Sequence, residues 1–307
     1  MAVSLTSTYA GEFSGKYISA ALLSGSTLEN GLITVMPNVK YKSVLQTGAL
    51  GDIVANATCD YTASGTLTLA EKIIEPEEFQ VNYDMCKKDL LNSWEAEQMG
   101  FSAFDKLAPS LSDFVIGYTA AKVAAKMETN IWSGQTANAG EFDGFYYLAT
   151  AGGSGCVAVT GTGVTAANVI DEMGKVVDAI PSAVYGKEDL FIYVAPNVAR
   201  AYIRALGGFG ANGLGANGVN NEGTTWFTNG ALSFDGIPVV VAQGLPASSM
   251  MAAQKSNLFF GTGLLNDHNE VRVLDMAELD GSQNVRVIMR FTAAVQMGIN
   301  SDVVIYA

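Results

Sequence analysis

One histidine and three cysteines are all that this chain of 307 residues offers in imidazole and thiol chemistry. Cys59, Cys86 and Cys156 are far apart and odd in number, so they form neither a disulfide framework nor a zinc spacing. Idle or buried thiols in a reducing compartment are the expectation. His268 falls in a turn between two strand-like runs, the setting of a solvated polar side chain. Without a second histidine, a Ser-His-Asp relay lacks its parts. No G-x-S-x-G elbow and no Walker loop occurs. The sequence therefore nominates no catalytic, no cofactor-binding and no metal-binding residue, predicts no cofactor, and does not read as an enzyme.

Charge is also scarce, at 15% of residues against 49% hydrophobic. A small soluble monomer usually spends more charge on its surface, so other copies are expected to cover much of this one. An ordinary compact β-rich protein would have the same composition. Basic residues are fewer still: 17 against 30 acidic ones, for a net charge of −13. A nucleic-acid groove needs clustered Lys and Arg to displace counterions from phosphates, and this balance argues against one. A wall beside DNA that does not grip it is compatible with the balance, as is a plain acidic cytoplasmic protein. No apolar run approaches the roughly 18 residues of a membrane span. The N-terminus, Met-Ala-Val-Ser-Leu-Thr-Ser-Thr, has no basic n-region, and Tyr17 to Leu23 is too short for a signal core. A soluble product that stays where it is made is expected.

Residues 1–35 are rich in Ser, Thr, Gly and Ala and resemble an arm that takes structure from what it lies on. From Val39 the pattern turns strand-like. Asp52 to Tyr61 and Thr66 to Ile74 flank Thr62-Ala63-Ser64-Gly65, which predicts a hairpin. Glu75-Pro76-Glu77-Glu78 is expected to break the ladder, as a solvated charge run rather than an acid/base pair. An isolated hairpin is marginal in water, so this one needs a neighbour. A short helix is predicted around Lys88 to Glu97.

A long helix is predicted from Ser110, with Pro109 leading in and Ser110 as cap. Its apolar row runs through Leu111, Phe114, Val115, Tyr118, Ala121, Ala125 and Ile131, with a second row through Val123 and Met127; Lys122, Lys126 and Glu128 take the remaining face. Glycine-dense stretches at 134–163 and 207–230 enclose an α/β segment. There Thr165 caps a helix with apolar Val169, Ile170, Met173, Val176, Val177 and Ile180. Leu190 to Ala195 is a buried strand, Pro196 opens a helix through Leu206, and Ile237 to Ala242 is a further buried strand. Gly208-Phe-Gly210-Ala-Asn-Gly213 matches G-x-G-x-x-G, but it follows a helix and leads into loop, the wrong context for a phosphate cradle. Its near-repeat Gly215-Ala-Asn-Gly218 points to a projecting tip. Strands are predicted at Leu258 to Gly261, Glu270 to Met276, Asn284 to Thr292 and Val303 to Tyr306. Along the third, Val285, Val287 and Met289 alternate with Arg286, Ile288 and Arg290, leaving one charged face.

The order of these elements resembles the major capsid proteins of tailed bacteriophages, the Hong Kong 97 type. Local phrases carry the same resemblance: Asn130-Ile-Trp-Ser-Gly134 with Glu141-Phe-Asp-Gly144; Gly236-Ile-Pro-Val-Val240 with Gly244-Leu-Pro246; and Leu258-Phe-Phe-Gly261, Gln296-Met-Gly298 and Asp302-Val-Val304. The resemblance implies an α+β fold with an N-terminal arm at 1–38 and an extended β-hairpin loop at 39–80 that lies across a neighbouring subunit. It implies a peripheral domain of 81–156 and 246–301 with a spine helix at 111–132. It further implies an axial α/β domain of 157–245 and 302–307 with a Gly-rich tip at 207–223. It implies pentamers and hexamers of this chain in an icosahedral or prolate head around double-stranded DNA, bound without sequence specificity. A portal would join the shell, with room for decoration proteins. No long charged helical segment precedes the arm, so a separate scaffolding protein is expected. Assembly would occur in the bacterial host cytoplasm and the product would be a virion capsid, with no membrane involved. An encapsulin-like compartment shares the implied fold and differs in cargo. A monomeric β-rich surface or adhesion protein is the rival from another class.

Overall fold

The computed structural model describes residues 26–39, 41–51, 53–54, 56–57, 59, 65–86, 109–206, 232–263, 272–279 and 281–307. The expected short helix at 88–97, the tip at 207–223, His268 and most of the arm lie outside the described residues. After a four-residue helix, Ser26–Glu29 (α1), and a short strand, Thr34–Met36 (β1), the longest helix is Pro109–Ser133 (α2). Its 25 residues make a rod of about 37 Å. Pro109 is already helical, where its missing N–H costs nothing, so Ser110 is a first-turn residue and not the cap. The buried stripe is Val115, Thr119, Val123, Met127 and Ile131, every fourth residue. Tyr118, Ala121 and Ala125, expected in the main row, are only half-buried. Thr119 reaches the stripe because its hydroxyl donates to the Val115 carbonyl at 2.7 Å, which satisfies it without water.

That stripe faces a five-stranded sheet. Its long member is Asn284–Met297, flanked by Leu258–Gly261, Arg272–Asp275 and Glu77–Cys86. In chain order Ser43–Leu50 is β2, Leu67–Ile74 β3, Glu77–Cys86 β4, Leu258–Gly261 β10, Arg272–Asp275 β11 and Asn284–Met297 β12. The four-residue charge run breaks the chain only at Glu75-Pro76. Glu77 and Glu78 open β4, which pairs antiparallel with β12 from Glu77 opposite Ala293 to Cys86 opposite Asn284. A long partner strand thus overrides the poor strand propensity of paired glutamates. The alternation read along β12 holds: Val285, Val287, Met289, Phe291 and Ala293 are buried while Arg286 and Arg290 are exposed.

A second, six-stranded sheet joins Val157–Val159 (β5), Leu190–Val194 (β6), Ser233–Phe234 (β7), Ile237–Val241 (β8), Met250–Gln254 (β9) and Val304–Tyr306 (β13), in the order β5-β13-β9-β6-β8-β7. β9 corrects the sequence division at 245/246. Its hydrogen-bonded neighbours are β6 and β13, so it belongs with the α/β unit. Helices Val169–Asp178 (α4) and Pro196–Leu206 (α5) cover this sheet, while Phe145–Thr150 (α3) follows α2. Ile170, expected on the buried stripe of α4, is instead exposed. Asn168, not Thr165, immediately precedes α4, and its Oδ1 accepts from both the N–H and the hydroxyl of Thr165. Both sheets and α2 share one continuous core, from Ile131 and Trp132 through Tyr193 to Met250, Met289 and Tyr306.

Three glycines make the junction possible. A Cβ at Gly134 or Gly144 would collide with backbone of the last turn of α2 or of the loop beside it. One at Gly244 would collide with the Glu128 carbonyl and lie 2.9 Å from Thr129 Cα. The phrases Ser-Gly134, Asp-Gly144 and Gly244-Leu therefore mark places where three loops press on one helix end.

Candidate assembly surface

The ribbon β2–β3 stands apart from both sheets as a two-stranded sheet of its own. Its register runs from Ser43 opposite Ile74 to Leu50 opposite Leu67; of the expected turn, Thr62, Ala63 and Ser64 lie outside the described residues. The sequence expectation paired 66–74 with 52–61. The observed pairing instead sets Val44 against Ile73 and gathers the apolar side chains on one face, as the period of two requires. That face carries Val44, Leu67, Leu69 and Ile73, which are 46%, 60%, 73% and 44% exposed. Gly48 lies beneath the leucines: a Cβ there would be 3.6 Å from Leu69 Cδ2. Glu71 stands between Leu69 and Ile73 on the same face.

The root of the ribbon is anchored. Ile74 is buried against Val39 and Ala294. The Gln296 side-chain amide donates to the Ile73 carbonyl at 3.0 Å. Lys42 and Glu75 form a 3.0 Å ion pair that raises the Lys42 pKa, though its exposure leaves it little weight in stability. Burying one large aliphatic side chain is worth about 1.5–3 kcal/mol, and in one chain Leu67 and Leu69, 60% and 73% exposed, realise only the smaller part of it.

At the other end of the described chain, α1 is latched to α2. Glu128, expected on the solvated face beside Lys122 and Lys126, is 1% exposed. Its Oε2 accepts from the Thr27 N–H at 3.1 Å and its Oε1 from the Thr27 hydroxyl at 2.5 Å. The Trp132 indole N–H donates to the same hydroxyl oxygen at 2.9 Å. Burial pushes the Glu128 carboxyl above the usual range, and the Thr27 donors oppose that rise. Beyond α1, the Tyr193 hydroxyl donates to the Leu32 carbonyl at 2.7 Å, and burial raises its pKa.

A matching latch holds β13. The Tyr306 hydroxyl lies 2.8 Å from the Thr162 carbonyl and 2.9 Å from Glu172 Oε2. Burial and this carboxylate push Tyr306 up to about 12, while the Lys175 ammonium, donating at 2.8 Å, holds Glu172 low. An apolar groove of about 600 Å³ runs between β4 and α2, lined by Phe79, Tyr83, Val115 and Phe291 among others. Among the described residues its lining has no carboxylate or imidazole. Among the described residues no cluster of His, Cys, Asp or Glu could hold a metal, and no helix is long and apolar enough to cross a membrane. Of the acidic run, Glu75 is taken by Lys42, and desolvation raises Glu77.

No protein-family model and no curated protein matches this chain. Solved structures do. The capsid of the native GTA particle, computed with C5 symmetry, is similar over 97% of this chain and 94% of that one, with a TM-score of 0.68 at 16% identity. A structure from Mycobacterium phage Adephagia is similar over 97% and 94%, with a TM-score of 0.62 at 15% identity. For the capsid of the Myoviridae phage XM1 both shares are 96%, with a TM-score of 0.60 at 13% identity. At such identities the likeness is one of fold: this chain has the mixed α+β fold of phage capsid structures.

Proposed function

We propose that this chain is a major capsid subunit of the Hong Kong 97 type, assembling through pentamers and hexamers into a phage head that encloses double-stranded DNA. The observation that carries the reading is the β2–β3 ribbon, a two-stranded sheet of its own that leaves Val44, Leu67, Leu69 and Ile73 exposed on one face. Laid across a neighbour, they become buried interface. In this reading residues up to 38 are the arm, 39–76 the extended loop, which stops short of the expected 80 because Glu77 opens β4, and α2 the spine of a peripheral domain built on β4, β10, β11 and β12. The six-stranded sheet with α4 and α5 is the axial domain, ending at a tip within 207–223. A separate scaffold and a portal take part, assembly proceeds in the host cytoplasm, and DNA is enclosed without sequence readout.

Negative-stain imaging and sizing chromatography of the expressed chain test the proposal. Closed shells are expected; a stable particle near 32 kDa with no larger assembly under any condition refutes it. Deleting Ala63 to Thr68 should leave a folded chain that assembles poorly. Protein cargo in place of DNA would turn the reading toward an encapsulin-like compartment.

A further inference from the structure

α1 has little packing to hold it. Of its four residues only Thr27 is fully buried, and Leu28 packs partly against the core. A cavity of about 170 Å³ lies between α1, α2 and β12, lined by Leu28, Glu29, Met127, Phe260, Thr262 and Thr292 among others. The hydrogen bonds that join Thr27 to Glu128 and Trp132 are therefore a large share of what keeps α1 in place. Beyond α1 the chain is fixed. Leu32 and Ile33 are buried, the Tyr193 hydroxyl donates to the Leu32 carbonyl, and β1 pairs with β10 from Thr34 opposite Phe259. Between the loose part and the fixed part stands Gly31, at φ +58°. Glycine enters and leaves that left-handed region without the cost a side chain brings, so Gly31 is placed as a hinge.

Among the described residues no cation answers the charge of Glu128. The groups that act on it are the neutral donors of Thr27 and Trp132 and the carboxylate of Glu29, which opposes ionisation. α2 turns Lys122 and Lys126 outward, the latter onto Glu141. The Lys255 ammonium lies beside Gly31 and is not among the groups that act on Glu128. From β10, β12 and the residue after β10, the cavity is lined by Phe260, Thr262, Phe291, Thr292 and Ala293, none of them ionisable. Burying an ionised carboxyl that only neutral donors answer is costly, and the cost is relieved when the group takes a proton or meets water.

We propose that Glu128 is a proton-operated clasp on α1: protonated, it keeps α1 shut on α2; ionised, it lets α1 open about Gly31. On ionisation the proton passes to water, and opening brings the carboxylate into solvent. The shut form binds that proton more tightly than the open one, so opening is rarest at low pH. It grows more frequent, by up to about tenfold per pH unit, as pH climbs from the ordinary carboxyl range to the value in the shut form, and then levels off. The shut arrangement is the resting state throughout, and pH sets how often it is left. The clasp goes beyond the shell reading and stands without it.

The full-length, unassembled chain tests the clasp. Proteolysis after Glu29, followed by mass spectrometry between about pH 5 and 8, measures how often α1 opens. Glutamine at position 128 keeps an acceptor oxygen for Thr27 and has no proton to lose. Comparing the parent with Glu128→Gln at each pH cancels the protease's own pH dependence. The parent-to-variant cleavage ratio should rise more than about threefold across this range. A smaller rise, or a fall, overturns the proposal. Should Glu128→Gln not fold, the indole N–H of Trp132 in the parent decides, since it shares the Thr27 hydroxyl with Glu128. Its nuclear magnetic resonance signal should shift with a midpoint between about pH 5 and 9, above the ordinary carboxyl range. A signal that stays put over those values overturns the clasp while leaving the shell reading intact.

Discussion

Replacing Thr27 with valine tests the latch between α1 and α2 at almost constant volume. The substitution removes one hydroxyl that donates to Glu128 and accepts from Trp132. A hydrogen bond to a charged group is worth about 1.5–3 kcal/mol, and a buried donor left unpaired costs about 1–3 kcal/mol. Part of the second cost disappears if the indole turns toward the carboxylate, so a loss of about 3 kcal/mol is expected. The loss should depend on pH. Burial already raises the Glu128 pKa from 4.5, and a removed donor raises it further. A carboxyl with a raised folded-state value favours the fold most when protonated, and that contribution is lost as pH rises through the folded value. The gap between variant and parent should therefore be widest near about pH 8 and narrow toward about pH 5. Urea midpoints at the two pH values measure it, and proteolysis after Glu29 reports whether α1 has lifted. A variant within about 0.5 kcal/mol of the parent, or a gap that widens on acidification, would refute the account of Glu128 as a buried carboxylate held by Thr27.

Three further outcomes follow from packing. Gly244→Ala forces a methyl group against the α2 backbone, which cannot swing aside as a side chain can, and should cost about 3 kcal/mol in urea unfolding. Gly174→Ala, inside α4 with nothing within 4 Å of the new methyl, should instead stabilise by roughly 0.5–1 kcal/mol in the same assay. Leu67→Ser with Leu69→Ser should leave the thermal midpoint of the unassembled chain within about 2 °C of the parent, because both side chains are mostly exposed there. It should also sharply reduce the fraction recovered as shells by sedimentation.

The parts legible in the sequence were those whose own residues decide their state. α2, β6, α5 and β12 have long periodic or continuous apolar runs, and each stands close to where the pattern predicts. β9 was missed because Met-Met-Ala-Ala-Gln has neither alternation nor β-branched residues; it is a strand because β6 and β13 enclose it. β4 was hidden behind two glutamates that a 14-residue partner outweighs. Glu128 was misplaced because its fate depends on Thr27, 101 residues away. At the assembly surface, the strand from Thr66 to Ile74 was legible, but its apolar face could be assigned only once β2 was known as the partner.

The β2–β3 ribbon also has two open edges. Apart from the Ile73 carbonyl, which Gln296 holds, no further strand pairs with either edge among the described residues, and in a concentrated pool of identical chains such edges invite unplanned strand addition, a route to fibres. Glu71 and Lys72 interrupt β3 midway with opposite charges, and Gly48 weakens β2 opposite Leu69. In the proposed shell, closure of the lattice would compete with clumping of the same material. On that reading the ribbon would set a time limit, since chains waiting long for their place would be exposed to strand addition.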